Sequence, residues 1–182
     1  MVLKGKKVNL RSLELSDYKW LFRVINNKQV NQYLLVTGVK SLAVEKTKVA
    51  KMIKDKNCHH FIIEKKDTLE PIGIMTLKWQ DKKSQRGSTG AFIGPKYWNQ
   101  GYGADAKMTL LKFAFTKVGL NRVESYVFKN NPRSVAYSKK CGYKIEGIAR
   151  QRVLKAGKFL DEYVLSVLKK DWLKLAKKYD YI

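Results

Sequence analysis

The stretch "PKYWNQGYGADA", Pro95 to Ala106, sets two aromatic rings, an Asn, a Gln and two closely spaced glycines just before an apolar helical pattern. A glycine at a helix start costs roughly 1 kcal/mol against alanine, so Gly101 and Gly103 in one turn signal that another group must approach the backbone closely. Ala106, Leu110, Leu111, Ala114 and Phe115 recur at helical spacing and predict a helix from about Tyr102 to Val118, with Gly119 as its stop. Upstream, "GSTGAFIG" (87–94) reads as a strand, its Gly90 marking a bulge or a close backbone approach. Strand, glycine turn and helix mouth together present amides with no intrahelical partner at the positive end of a helix dipole, which suits a pyrophosphate. A G-x-G pair alone equally fits glycines that let helix pack on strand, and it lacks the lysine and Ser/Thr of a Walker loop.

Working outward, residues 2–11 read as an opening strand. Helices follow over "YKWLFRVINN", with Trp20, Leu21, Val24 and Ile25 at helical spacing, and over "SLAVEKTKVAKMIKDK", with Leu42, Val49, Met52 and Ile53 on one side. Between them "NKQVNQYLLVTGVK" (27–40) is an irregular, partly apolar connection of the kind that shapes a binding site. "HFIIEKK" and "PIGIMTLKW" form a hairpin, and "RVESYVF" is a further strand. "PRSVAYSKKCG" is a short helix opened by Pro132 and closed by Gly142; two strands around "KAGK" and a basic amphipathic helix at about 169–181 complete the chain. This order predicts one α/β domain over residues 1–182, with a mixed, mostly antiparallel sheet and helices on both faces.

The totals agree with a single core: 182 residues, 45% of them hydrophobic, and no linker-like segment. No 18-residue apolar run and no signal-peptide pattern are present, so a soluble cytoplasmic protein without a membrane partner is expected. Cys58 and Cys141 show no metal-ligand spacing, and the adjacent His59 and His60 cannot share a strand face, so no metal site is expected. The 38 Lys+Arg against 15 Asp+Glu give a formal charge of +23, a field that favours polyanions. The lysines are spread over what read as outer helix faces, which is also how a plainly solvated surface looks.

A second motif, "NNPRSVAYSKKCGYKIEG" (130–147), puts Asn131 and Ser134 at a helix start and a glycine–aromatic pair at its end. With both motifs the chain resembles the GCN5-related N-acetyltransferases (GNAT), and within them the ribosomal-protein N-terminal, RimJ/RimL-type branch. The first motif is similar to that branch's P-x-Y-W-G-K-G-Y-G/A-T-E-A and the second to its N-x-x-S-x-x-x-x-E-K-x-G-F-x-x-E-G. Two motifs about 30 residues apart, each in the right setting, are jointly specific, and the element order extends the likeness over residues 2–168. The resemblance implies a central sheet splayed at the cofactor and an acetyl-CoA pyrophosphate wrapped by Gln100, Gly101, Tyr102, Gly103 and Ala104. It also implies that Phe92 and Ile93 pair with the pantetheine arm and leave an amide to polarise the acetyl carbonyl, with Asn131 on the pantetheine and Ser134 near the thioester.

The departures bear on the chemistry. Trp98 stands where the wider family favours Arg or Gln, which matters little to a cradle of backbone amides. The tyrosine that many members use to protonate the leaving thiolate falls at Ser138, with Tyr137 one place early, so the general acid is Ser134, Ser138, Tyr137 or dispensable, since a thiol has a pKa near ~8.5. Ser88 replaces the family's frequent glutamate base; Glu64, Glu124, Glu146, Asp161 and Glu162 remain, each read first as a surface or ion-pair carboxylate. The expected activity is direct acetyl transfer from acetyl-CoA to a primary amine, a protein N-terminus first, with the basic surface drawn to ribosomal RNA and a homodimer left open. The alternatives are a polyamine or other small-amine acetyltransferase and a non-catalytic basic module for CoA or nucleic acid. The acceptor channel is expected between "NQYLLVTGVK" and "RVLKAGKF" (152–159).

Overall fold

A computed structural model describes residues 1–35 and 41–182. Part of the connection expected to border the acceptor channel, residues 36–40, therefore lies outside the described residues. The elements are β1 (Val2–Lys4), β2 (Val8–Ser12), α1 (Tyr18–Ile25), α2 (Lys28–Asn31), α3 (Leu42–Lys54), β3 (Cys58–Lys65), β4 (Pro71–Asp81), β5 (Arg86–Ile93), α4 (Tyr102–Thr116), β6 (Arg122–Phe128), α5 (Pro132–Lys140), β7 (Lys144–Lys155), β8 (Lys158–Leu168) and α6 (Lys169–Lys178). The strands form one eight-stranded sheet in the order β1-β2-β3-β4-β5-β6-β8-β7. Every neighbouring pair is antiparallel except β5 and β6, as the mixed-sheet expectation required.

The expected opening strand is two strands, and the reason is a long-range contact. The Asp105 carboxylate, in the first turn of α4, accepts the backbone amides of Lys6 (3.0 Å), Lys7 (2.7 Å) and Val8 (2.9 Å). Those donors can leave the sheet ladder because a side chain satisfies them elsewhere, so the chain folds back at Gly5. A Cβ on Gly5 would stand 2.6 Å from Asp105 Oδ2.

The core has two parts, one on each face of the sheet. Leu110, Leu111 and Phe115 of α4 and Trp172 of α6 pack with Val8, Leu10, Phe61 and Ile63 on one face. Leu21 of α1 and Val49 of α3 pack with Leu13, Ile62 and Ile74 on the other. Consecutive residues of β3 thus serve opposite layers, which is why "FII" (61–63) reads as an unbroken apolar run. His59 and His60 divide likewise: His59 meets the Phe113 ring edge-on at 5.3 Å, while His60 Nδ1 lies 2.9 Å from Thr76 Oγ1. On α3 the buried stripe is turned from the one expected. Val49 is buried, but Leu42 and Ile53 are exposed and Glu45 takes the inward place. Among the described residues no helix is long and apolar enough to cross a membrane.

Candidate active site

The "PKYWNQGYGADA" stretch bridges β5 and α4. Trp98 Nε1 donates to the Ile93 carbonyl at 2.7 Å and holds the turn on the end of β5. The backbone passes through left-handed conformations at Asn99 (φ 61°) and Gly101 (φ 84°), and Gly101 caps α4. Asp105 N makes the first bond of the helix to Gly101 O (3.1 Å), so the amides of Tyr102, Gly103 and Ala104 precede any intrahelical partner. A Cβ on Gly103 would lie 3.5 Å from Ile93 Cδ1 and 4.0 Å from the Tyr137 ring, so this glycine faces the space between β5, α4 and α5. Lys7, from the β1–β2 turn, brings its ammonium to the Gln100 carbonyl at 3.1 Å. Bare amides, the helix dipole and a cation together fit an anionic diphosphate. Lys7 was not foreseen, because nothing in its local sequence shows that it folds against a turn 93 residues away.

Beside the cradle the sheet opens. β5 pairs with β6 only at Arg86–Arg122, Gly87–Val123 and Ser88–Glu124; Thr89 still meets Glu124 and Ser125 through side-chain hydrogen bonds, and from Gly90 to Ile93 no pairing joins the two strands. Phe92 and Ile93 lie at the end of that free segment, as the expected splay requires. At the fork Thr89 is buried; its Oγ1 receives Lys107 Nζ at 2.8 Å and lies 3.2 Å from the Tyr143 hydroxyl. Lys107 is fully buried in α4, 4.9 Å from the Tyr143 ring centre and 5.3 Å from that of Tyr137. Desolvation works against its charge, but the Thr89 hydroxyl and the faces of the Tyr137 and Tyr143 rings receive the ammonium, and its pKa is raised. A lone lysine among apolar helix positions gave no sequence signal of this role.

α5 supplies the other expected groups. Asn131 caps it, its Oδ1 accepting Ser134 N at 3.2 Å, and both residues are half-buried. Arg133 lies 3.5 Å over the Trp98 ring and ties this end of α5 to the cradle turn. Tyr137 is half-buried and faces Gly103, whereas Ser138 is enclosed and its hydroxyl has no partner among the described residues. The fold therefore gathers Ile93, Gly103 and Tyr137 and directs Ser138 inward.

The five carboxylates considered as bases are all engaged. Glu64 receives Arg11 Nε (2.6 Å), and Glu124 receives Arg122 Nε (2.8 Å). Glu146 is held by Arg122 and then by Ser166, which bring its pKa down to about 2. Asp161 accepts Gln151 N (3.0 Å) and faces Lys129, while Glu162 pairs with Arg152 at 3.4 Å and is raised by burial against that partner. Ser88 accepts the Gln80 side chain at 2.8 Å.

On the opposite face of β4 and β5 lies a cavity of about 160 Å³. Its floor is made by the cross-strand pairs Ile74–Phe92 and Thr76–Gly90, and its walls by Leu21 and Ile25 of α1 and Glu45 and Met52 of α3. Gly90 keeps regular register, and nothing stands within 4 Å of where its Cβ would be; it marks open space and not a bulge. Lys155 donates to the carbonyls of Asn31 (2.8 Å) and Leu34, joining the two segments expected to border an acceptor channel. A wider hollow of about 390 Å³ beside Lys129, Asn130 and Phe159 touches neither the cradle turn nor the free part of β5. At the start of β3, Asp55, Cys58 and His60 bring three donor atoms within 4.8 Å of one another, a juxtaposition that the expectation of no metal site did not include. Burial, then the Asp55 hydrogen bond, push the Cys58 thiol up to about 11, and burial pushes Cys141 up to about 12, so neither is an activated nucleophile.

Sequence and structure comparisons agree with this fold. The profile described as an acetyltransferase (GNAT) domain matches residues 7–144. An uncharacterized N-acetyltransferase, p20 of Bacillus licheniformis, is 26% identical over 93% of this chain and 97% of its own. The spermidine N(1)-acetyltransferase of Escherichia coli K12 is 24% identical over 77% of this chain and 74% of its own. Among solved structures, the spermidine N-acetyltransferase of Vibrio cholerae in complex with CoA and spermine superimposes with a TM-score of 0.84 at 21% identity, covering 93% of this chain and 99% of that one.

Proposed function

The chain belongs to the GNAT family of acetyl-CoA-dependent N-acetyltransferases, and from that premise we propose that it transfers the acetyl group directly to a primary amine held in the cavity between α1, α3 and the free end of β5. One observation carries the reading: the free segment of β5 has the cradle on one side and the cavity on the other. Phe92 lines the cavity, and the next residue, Ile93, faces Gly103. A single strand edge thus separates the places for donor and acceptor, close enough for direct attack.

Acetyl-CoA supplies an acyl carbon activated as a thioester. The amides from Gln100 to Ala104, with Lys7, hold the diphosphate, and Asn131 and Ser134 orient the pantetheine arm. An amide of the Phe92–Ile93 segment, released from β6, donates to the carbonyl oxygen as negative charge develops. Neither protonated thiol lines the cavity, which supports transfer without an acyl-enzyme intermediate. A hydroxyl of α5 returns a proton to the departing sulfur: Ser134 in the first turn or Tyr137 one turn on, Ser138 being enclosed. An acceptor with a pKa near ~8 needs only a weak base, whereas a lysine-like amine near ~10.4 needs a stronger one.

A protein N-terminal amine, ribosomal in origin, is the second acceptor reading; the +23 charge favours it by drawing the enzyme to RNA. Thiol release from acetyl-CoA, followed with small amines, polyamines and N-terminal peptides, ranks the acceptors. CoA binding without release for any acceptor would make the protein a binding module and sink the enzymatic reading.

A further inference from the structure

Among the buried carboxylates of this protein Glu45 is left unmatched. Asp17 receives both terminal nitrogens of Arg11, Asp105 receives three amides and the Tyr181 hydroxyl, Glu124 meets Arg122, and Glu162 meets Arg152. Glu45 is 1% exposed, its Oε2 has no hydrogen-bond partner among the described residues, and Lys48 stands 3.6 Å from Oε1, beyond hydrogen-bond reach. A chain with 38 basic side chains has cations to spare, yet among the described residues none closes on this oxygen. Burial among Leu21, Ile25, Met52 and Ile74 of a carboxylate that has one oxygen unpartnered and only the loose Lys48 ion pair at the other is unfavourable unless a further cation arrives from outside.

Resting on the amine-acetylation reading, we propose that Glu45 is the residue that binds the acceptor's ammonium, and that the acceptor is a slender aliphatic amine without a carboxylate of its own. The cavity of about 160 Å³ holds roughly five water volumes, enough for an amino group and a few methylenes. Apolar walls suit the methylenes, the Glu45 carboxylate suits the ammonium, and the open space at Gly90 leads to the free edge of β5. Lys48, with a side chain 40% exposed, gives way to solvent as the ammonium takes its place. An amino acid brings a carboxylate beside its amine and is repelled by the same oxygen, so Glu45 selects as well as binds.

The test is steady-state kinetics on the full chain with n-butylamine, putrescine and glycine at saturating acetyl-CoA, with titration of putrescine into the CoA-loaded protein. The wild type is expected to prefer n-butylamine and putrescine to glycine. Glu45→Gln, which keeps the shape, is expected to raise their KM and weaken putrescine binding roughly tenfold to a hundredfold, while the KM for acetyl-CoA moves less than about twofold. Glu45→Asp falls between. Should Glu45→Gln fail to fold, Lys48→Met removes the competing ammonium and lowers the amine KM about two- to fivefold. Amine KM unchanged in the folded variant, or in Lys48→Met in its stead, overturns this inference and leaves amine acetylation standing. A wild type that binds CoA but acetylates no amine overturns both.

Discussion

Gly101 and Gly103 stand one residue apart and answer to different forces. Gly101 has φ 84°, a left-handed conformation that costs an L-residue about 1–2 kcal/mol; Gly101→Ala is expected to lower stability by that amount in urea unfolding. Gly103 caps nothing, and a Cβ there would meet only ordinary contacts at 3.5 Å and 4.0 Å. Its bareness concerns the ligand, so Gly103→Glu is expected to abolish CoA binding in calorimetry with little loss of stability, and retained affinity would remove the cradle assignment. Asp105 is the opposite case, a side chain whose whole duty is to the fold. Asp105→Asn replaces one acceptor oxygen by a donor facing backbone amides, and about 2–4 kcal/mol of stability should go with it. The glycines were legible in sequence because a helix mouth is local. Lys7, Glu45 and Lys107 were not, because each takes its role from residues on other elements.

Between elements, β6, β7 and β8 share a charge network: Arg122 holds both Glu124 and Glu146, and Ser166 donates to Glu146 at 2.6 Å. Arg122 first, then Ser166, hold the Glu146 carboxyl at about 2, below its ordinary 4.5. The folded state therefore prefers the ionised form. Its contribution is full above about pH 4.5 and is lost as pH falls towards about 2. Because the Glu146 side chain is 43% exposed, water screens the pair and the contribution stays below about 1 kcal/mol. Glu146→Gln should flatten the acid limb of stability against pH in that window; an unchanged limb would show that the network does not reach solution. Element types followed from apolar spacing and turn residues. The helix α3 shows where spacing falls short: four apolar side chains defined a stripe in sequence, but the sheet beneath selects the row 45, 49 and 52, and so sets a carboxylate against the core.

Over the whole molecule the charge of +23 acts at a distance on an anionic cofactor. Association of CoA should slow steeply as sodium chloride rises, while its dissociation rate moves little, a separation that stopped-flow measurement at several salt concentrations checks. A salt-independent association rate would mean that the lysines leave no net field at the cradle. The amino-acid order sufficed for the class of fold and for most of the element order, since periodicity, caps and glycine conformations are written in neighbouring residues; it did not show the break of the opening strand at Gly5 or the short helix α2. The parting of β5 from β6 after Ser88, the cavity behind it and the unmatched oxygen of Glu45 arise only when strands distant in the chain are laid side by side. Burial and hydrogen-bond partnership are properties of packed surfaces, and a linear pattern carries them only where the partners are neighbours.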